Sequence, residues 1–344
     1  SGRKNIVTNG AMQVAQRSTS ETGLGAAAGY FTFDRWKIDT ANSAGRFTMT
    51  QTADGPSGFA NCLKLDCTTA DTSLAASEHL IISQRFEGQD LQQIKKGTSD
   101  AELITVSFYV KASAAFTFGV ELYDADNTRQ ITKLYTTTTG WVRHELTFPA
   151  DTTGAFTDDN LESLQLGFWL HAGSTFASGT LNTAAWAEND NANRAAGIDS
   201  FYSSTDNNFF ITGVQMEIGS QATNFEHRSF GEELALCQRY GWNIAAVVNG
   251  RVGVGQAVSA TQADILVNHP VTMRAAPTLP SPDASGANIT SGDGSGIAST
   301  GIAVQSATTN ATRFRVTVSS GLTAGQGSQL SFDATDDAFL TAEL

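Results

Sequence analysis

The segment ELITVSFYVKAS, residues 102–113, places Ile104, Val106, Phe108 and Val110 at every second position, with Thr105, Ser107 and Tyr109 between them. A period of two is the signature of a strand buried on one face, whereas a helix repeats its apolar positions every three to four residues. The same alternation recurs in GRFTMTQT, CLKLDCTT, HLIISQRFEG, FTFGVELYD, WVRHELTFPA, SLQLGFWLHAG and NNFFITGVQMEIG. Turn formers such as ADGPSG, DADNT and TTTTG separate them. Strands in such number, with no amphipathic helix between them, predict an antiparallel jelly-roll β-sandwich. QDLQQIKKG, residues 89–97, reads as one or two helical turns between strands.

One helix interrupts this pattern. Ser229 and Glu232 stand at capping-box spacing, Phe230, Leu234 and Cys237 form an apolar stripe widened by Leu236 and Tyr240, and Gly241 is suited to end the helix. Beyond Trp242, the runs WNIAAVVNG, GVGQAVSA, ADILVNHPVTM, IAVQSAT, TRFRVTVSS and SQLSFDA predict a smaller β-sandwich or barrel. ATDDAFLTAEL reads as its closing strand, with Phe339 and Leu340 buried. Residues 276–296 read as a loop, because Pro277, Pro280 and Pro282 oppose ladder pairing. The expected organisation is therefore an all-β chain: a jelly roll over 1–226, a connector helix over 227–242 and a β-domain over 243–344.

Charge narrows the partners. With 21 Lys and Arg against 34 Asp and Glu, the net charge of −13 disfavours nucleic acid and anionic membranes. No apolar run is long enough for a membrane helix, so membrane insertion is not expected. The opening SGRKNIVTNGAMQ lacks the apolar core of a signal peptide. Cys62 and Cys67 fall on opposite faces of one strand and cannot easily bridge, so with Cys237 they read as free thiols of a reducing cytoplasm.

Catalytic and metal signals are weak. The five histidines show no metal-ligand spacing, and no P-loop, dinucleotide or nucleophile-elbow motif is present. The adjacent carboxylates Asp158/Asp159, Glu232/Glu233 and Asp336/Asp337 diverge on a strand or helix, so adjacency alone does not frame a sugar bond. Asp124, Asp126 and Asn127 in YDADNT open like a calcium loop but lack its later glycine and glutamate, which leaves a tight turn as the reading. No catalytic residue, metal or cofactor is expected. The long aperiodic stretch from Gly173 to Asn208 is different: its aromatics Trp186 and Tyr202, with Trp169 in the preceding strand, are candidates to stack on sugar rings. Asp190 and Asn191 are candidate hydrogen-bonding partners, although Trp169 sits in a dense apolar run that favours the core.

GVQMEIGSQATNFEHRSFGEELALCQRYGW, residues 213–242, resembles a junction of phage tail-fibre and virion structural proteins, in which V-Q-x-E-x-G-S-x-A-T-x-F-E-x-R runs into the helix E-E-L-x-L-C-Q-R-Y. NIVTNGAMQVAQRSTS followed by GYFTFDRW is similar to the start of the same proteins, and GVGQAVSATQADILVNHPVTMRAAPTL resembles their second domain, notably at Pro270, Val271, Met273, Arg274, Ala276 and Pro277. Roughly half the chain matches only in strand pattern.

The resemblance implies a jelly roll like that of carbohydrate-binding modules, in a non-enzymatic virion protein that forms homotrimers and contacts other virion proteins. It further implies attachment to a host surface polysaccharide, with the protein made in the host cytoplasm and released by lysis. A purely structural decoration or adaptor is the alternative, and a polysaccharide depolymerase a more distant one. Within the motif, Glu217 is expected to pair with Arg228 or Arg239 at a structural junction that includes Glu232, and Asp34 to fix the turn that delivers Trp36 to the core. A stalk of coiled coil or triple β-helix is missing, which suits a distal tip, a short fibre or a capsid-mounted appendage.

Overall fold

A computed structural model of the chain describes residues 4–246, 250–280, 286–292, 294, 296–332 and 338–344. The chain packs as two compact units, Ser1–Phe230 together with Leu344, and Gly231–Glu343.

In the first unit the strands are β1 (Ser20–Leu24), β2 (Lys37–Ala41), β3 (Arg46–Thr52), β4 (Cys62–Thr69), β5 (His79–Glu87), β6 (Ile104–Ala112), β7 (Thr117–Asp124), β8 (Arg129–Thr136), β9 (Val142–Phe148), β10 (Glu162–Ala172), β11 (Ala187–Glu188) and β12 (Asn208–Ile218). They build a jelly-roll sandwich of two six-stranded sheets, ordered β1-β3-β4-β12-β6-β9 and β11-β8-β7-β10-β5-β2. Alternation decides which side of each strand faces in. Ile104, Val106, Phe108 and Val110 of β6 meet Leu164, Leu166, Phe168 and Leu170 of β10 in one core. Each such side chain contributes about 1.5–3 kcal/mol by leaving water. The alternation of β2 and β8 is weaker, and neither was expected as a strand. The sequence 89–97 forms two 3-10 turns, Gly88–Asp90 and Gln92–Ile94.

The two stretches that carry the phage-fibre resemblance in this unit bond to each other. Ile6 N donates to Met216 O (2.9 Å) and Val214 N to Gly10 O (2.9 Å). Glu226 accepts from the backbone of Asn5 (2.7 Å), and Arg228 donates to Val7 O (3.0 Å). Gly10 is required here, because a Cβ would lie 2.1 Å from Val214 O. Asn9, at φ 56, turns the chain: its side chain accepts from Gln13 N and Val14 N (both 2.9 Å), and its carbonyl receives Trp36 Nε1 at 3.1 Å. Asp34 accepts from Gln16 N (2.9 Å), so it anchors the turn ahead of the fully buried Trp36, as expected. The expected Glu217 pair is not formed. Glu217 instead accepts from Thr223 N (2.7 Å), Thr223 Oγ1 (2.8 Å) and Gln215 Nε2 (2.9 Å), because the chain folds straight back over the end of β12.

After α1 (Ser174–Ala177) in the first unit, the second helix is α2 (Phe230–Gln238). It begins directly after Ser229, but its buried side differs from the expected stripe. Phe230 is 57% exposed, and burial falls on Glu233, Cys237 and Tyr240, a line rotated by about one residue.

The second unit pairs β13 (Gly241–Asn243) with a closing strand, and its other strands are β14 (Arg251–Ala257), β15 (Gln262–Asn268), β16 (Ala287–Ser291), β17 (Gly296–Ala307), β18 (Ala311–Val318) and β19 (Gly327–Phe332). That closing strand is β20 (Phe339–Thr341), which buries Phe339 and Leu340 as expected. The six strands β14 to β19 close into a barrel in the order β14-β15-β18-β17-β16-β19, filled by Ile265, Val267, Ile289, Phe314, Val316 and Leu330. β16 lies inside the stretch read as a loop, since alternation over only five residues is a weak signal beside three prolines. Pro282, Asp336 and Asp337 lie outside the described residues.

Candidate functional site

With Leu164, Leu166, Phe168 and Leu170 pointing inward, β10 must present Gln165, Gly167, Trp169 and His171 on the outer face of its sheet. Register extends that face sideways: Gln165 stands between Tyr123 and Arg85, Gly167 between Glu121 and Ser83, and Trp169 between Gly119 and Ile81. Lys37 and Asp39 follow on β2, opposite Ser83 and Ile81.

The stretch after β10 folds back over one half of this face. Phe176, Ala195 and Ile198 pack on Trp169 and Ile81. Arg194 grips Glu121 with two hydrogen bonds (2.8 and 2.7 Å), and its guanidinium lies 4.9 Å from the Tyr123 ring and 5.0 Å from that of Trp169. Burial works against the Arg194 charge, but Glu121 more than offsets it and holds the guanidinium pKa above its ordinary value.

The other half is more open, with Lys37, Asp39, Arg85, Tyr123 and Glu162 half-buried. Its centre is closed: Gly167 and Gln165 are buried, and Ile81 Cγ2 and Gln165 Nε2 lie 3.0 and 3.5 Å from where a Gly167 Cβ would stand. The Gln165 amide and the Tyr123 hydroxyl have no hydrogen-bond partner among the described residues. Opposite them runs a chain of four ions: Lys37 to Asp39 (3.1 Å), Asp39 to Arg85 (3.6 Å) and Arg85 to Glu162 (3.1 Å). Ser83 Oγ donates to Asp39 at 2.6 Å. Burial pushes the Glu162 carboxyl above the usual carboxylate range, and Arg85 and Lys37 reverse this only in part. A half-buried aromatic and a rim of half-buried paired ions form a surface able to hold a polar ring by apolar contact and by multiple hydrogen bonds.

The stacking residues expected from the sequence are not available. Trp169 and Tyr202 are fully buried and Trp186 is 7% exposed. Trp169 Nε1 donates to Glu121 (2.9 Å) beneath the covering loop, and Trp186 Nε1 to Pro149 O (2.9 Å). Tyr202 packs against Phe47 and His171 at ring distances of 6.4 and 5.1 Å. Aromatics in a polar loop here serve as anchors that hold the loop to the sandwich. Asp190 and Asn191 are exposed but make a local turn, in which Asp190 accepts from Ala192 N (3.1 Å). The structure does not bring these five residues into one site. Tyr123, Gln165 and Gly167 were missed; the signal was present in SLQLGFWLHAG, whose outward positions are a glutamine and a glycine.

Two other constellations have chemistry-bearing residues. His171 Nδ1 lies 2.8 Å from Ser200 Oγ and its Nε2 3.2 Å from Glu78. The spacing is that of a nucleophile, base and orienting acid, but the imidazole is fully buried, and Ser200 Oγ already accepts from Tyr202 N (3.2 Å) to start a 3-10 turn. Burial pushes the His171 pKa down, with Glu78 opposing. The arrangement reads as an internal brace. At YDADNT the turn between β7 and β8 is found as expected, with Asp124 accepting from Asn127 N (3.0 Å). The buried Lys96 ammonium sits against Asp124 (2.5 Å) and Asp151 (3.1 Å) and donates to the carbonyls of Thr153 and Gly154 (both 2.8 Å). A lysine therefore supplies the positive charge that these oxygens require. Among the described residues no group of three or more His, Cys, Asp or Glu is placed to hold a metal, and no helix is long and apolar enough to cross a membrane.

No family model matches the sequence, and no curated protein matches it. Similar solved structures include a CBM4 module, at 13% identity over 62% of this chain and 99% of that chain, with a TM-score of 0.33. Another is the enzymatically active domain of bacteriophage CBA120 tailspike protein 4, at 10% identity over 62% of this chain and 21% of that chain, with a TM-score of 0.32. A third is the CBM22-1 xylan-binding domain of Paenibacillus barcinonensis Xyn10C, at 11% identity over 64% of this chain and the whole of that chain, with a TM-score of 0.31. Likenesses this faint bear on neither ligand nor activity.

Proposed function

We propose that the chain is a non-enzymatic bacteriophage virion protein, a tail fibre or tip, that attaches to a host surface polysaccharide through the open half of the outer face of β5, β7 and β10. The supporting observation is the half-buried polar rim of Lys37, Asp39, Arg85, Tyr123 and Glu162, on which Tyr123 Oη has no hydrogen-bond partner among the described residues. A sugar ring offers an apolar face to Tyr123 and hydroxyls to Gln165, Arg85 and Asp39. The motif in residues 213–242 supports the virion setting, with synthesis in the host cytoplasm and release by lysis.

The test is attachment of the purified protein to host cells or isolated envelope polysaccharide, compared with Tyr123→Ala and Gln165→Ala. Folded variants that lose attachment at least tenfold support the reading. Unchanged attachment moves the site elsewhere, and no attachment by the parent protein favours a purely structural decoration or adaptor. Release of reducing ends from the polysaccharide would replace the non-enzymatic reading with a depolymerase. Light scattering separates the assemblies: a trimer of the 36.3 kDa chain supports the fibre or tip, and a stable monomer opposes it.

A further inference from the structure

We infer that the glycan taken by this face is uncharged, an inference that rests on the glycan-binding role proposed above. Six ionic side chains bound the site: Lys37, Arg85 and Arg194 carry three positive charges, and Asp39, Glu121 and Glu162 three negative ones. These six charges cancel, and each has an opposite partner within 3.6 Å. Arg35 also acts on Glu162, but it is 1% exposed and donates to Arg85 O, so it offers no open cation to a ligand.

An incoming carboxylate meets no spare cation. To pair with Arg85 it must displace Asp39 or Glu162, and the displaced oxygen is then left partly buried without its counter-charge, which is costly. It also approaches the carboxylates that remain. A hydroxyl meets neither obstacle, since it donates to a carboxylate and accepts from a guanidinium or ammonium while the pair stays intact. Lys37 has three N–H groups and one carboxylate within reach, so donors remain for such a hydroxyl. Beyond the site, the net charge of −13 repels a polyanion as a whole. This long-range contribution is screened over about 8 Å at physiological salt, so it acts mainly on approach, whereas the ion chain acts at contact.

The experiment is affinity electrophoresis of the intact protein through gels containing a neutral mannan, a neutral β-glucan, alginate or hyaluronan, at low and high salt. Retardation by a neutral polymer, little changed by salt, with none by alginate or hyaluronan, is expected. Retardation by an acidic polymer that weakens as salt rises overturns the inference but leaves the glycan-binding role standing. No retardation by any of the four overturns both. The double variant Asp39→Asn, Glu162→Gln leaves the face with two net positive charges. It is expected to gain at least tenfold in binding to alginate at low salt, and a double variant that remains indifferent to alginate also counts against the inference.

Discussion

The two halves of the outer face of β7 and β10 are made by the same strands, in the same register, yet one is closed over and the other keeps a half-buried polar rim. On the covered half Trp169 and Glu121 are fully buried beneath Arg194, Phe176 and Ile198. On the more open half Tyr123 is half-buried, and its hydroxyl and the Gln165 amide have no hydrogen-bond partner among the described residues. What separates them is a loop held to the sandwich at several points: Arg194 on Glu121, Phe176 and Ile198 on Trp169, Asp199 N donating to Thr117 O (2.7 Å) and Thr132 Oγ1 to Arg194 O (2.9 Å). Alternation assigns a side chain to a face of a sheet. Whether that face is a binding surface depends on what returns to cover it.

Removing an anchor should break the comparison most severely. Arg194→Ala strands the Glu121 carboxylate under the loop, and loss of one partner from such a pair is expected to cost about 3–5 kcal/mol in urea denaturation. If stability is hardly changed, the loop is not held by this pair. Trp186→Ala should cost about 3–5 kcal/mol by leaving a cavity, while attachment per folded molecule stays as in the parent. Attachment lost without loss of stability would restore Trp186 as a contact residue.

Gln165→Ala sharpens the contrast from the other side. Because Gln165 is buried but has no hydrogen-bond partner among the described residues, its loss should cost about 1 kcal/mol, well below that of Trp186, while glycan retardation falls. The smallest effect concerns Glu162. Burial raises its pKa in the folded state, so the fold prefers the protonated form, and its contribution to stability is lost as pH rises through the unfolded and then the folded value. Glu162→Gln should therefore raise the melting temperature slightly at neutral pH, with the gain vanishing below the ordinary carboxylate range. A gain that is larger in acid than at neutral pH contradicts this assignment.

Much of the fold was legible because alternation is a direct consequence of strand geometry. CLKLDCTT corresponds residue for residue to β4, and the runs around β5, β6, β7, β10 and β12 were found within a few positions. β2 and β16 escaped because five residues hold too few alternations to stand out. The site was less legible for a physical reason. Sequence marks Trp186 and Tyr202 as unusual in a polar loop, but an aromatic there either faces solvent or pins the loop, and only the fold decides between them. Gln165 and Gly167 drew no attention because an outward glutamine and glycine are ordinary on a sheet.

The bonds between residues 5–10 and 214–228 join positions as far as 223 apart in the chain. During synthesis the first segment leaves the ribosome long before its partner exists. At about 5–20 residues per second the wait is roughly 10–40 s, and closing such distant pairs makes folding slow. The Asn9 turn can form early from its own neighbours, Gln13 and Val14, but the segment ahead of it waits for its partners until Arg228 arrives. A nascent chain interrupted before that point would leave the backbone groups of residues 5–7 without the bonds that 214–228 supply.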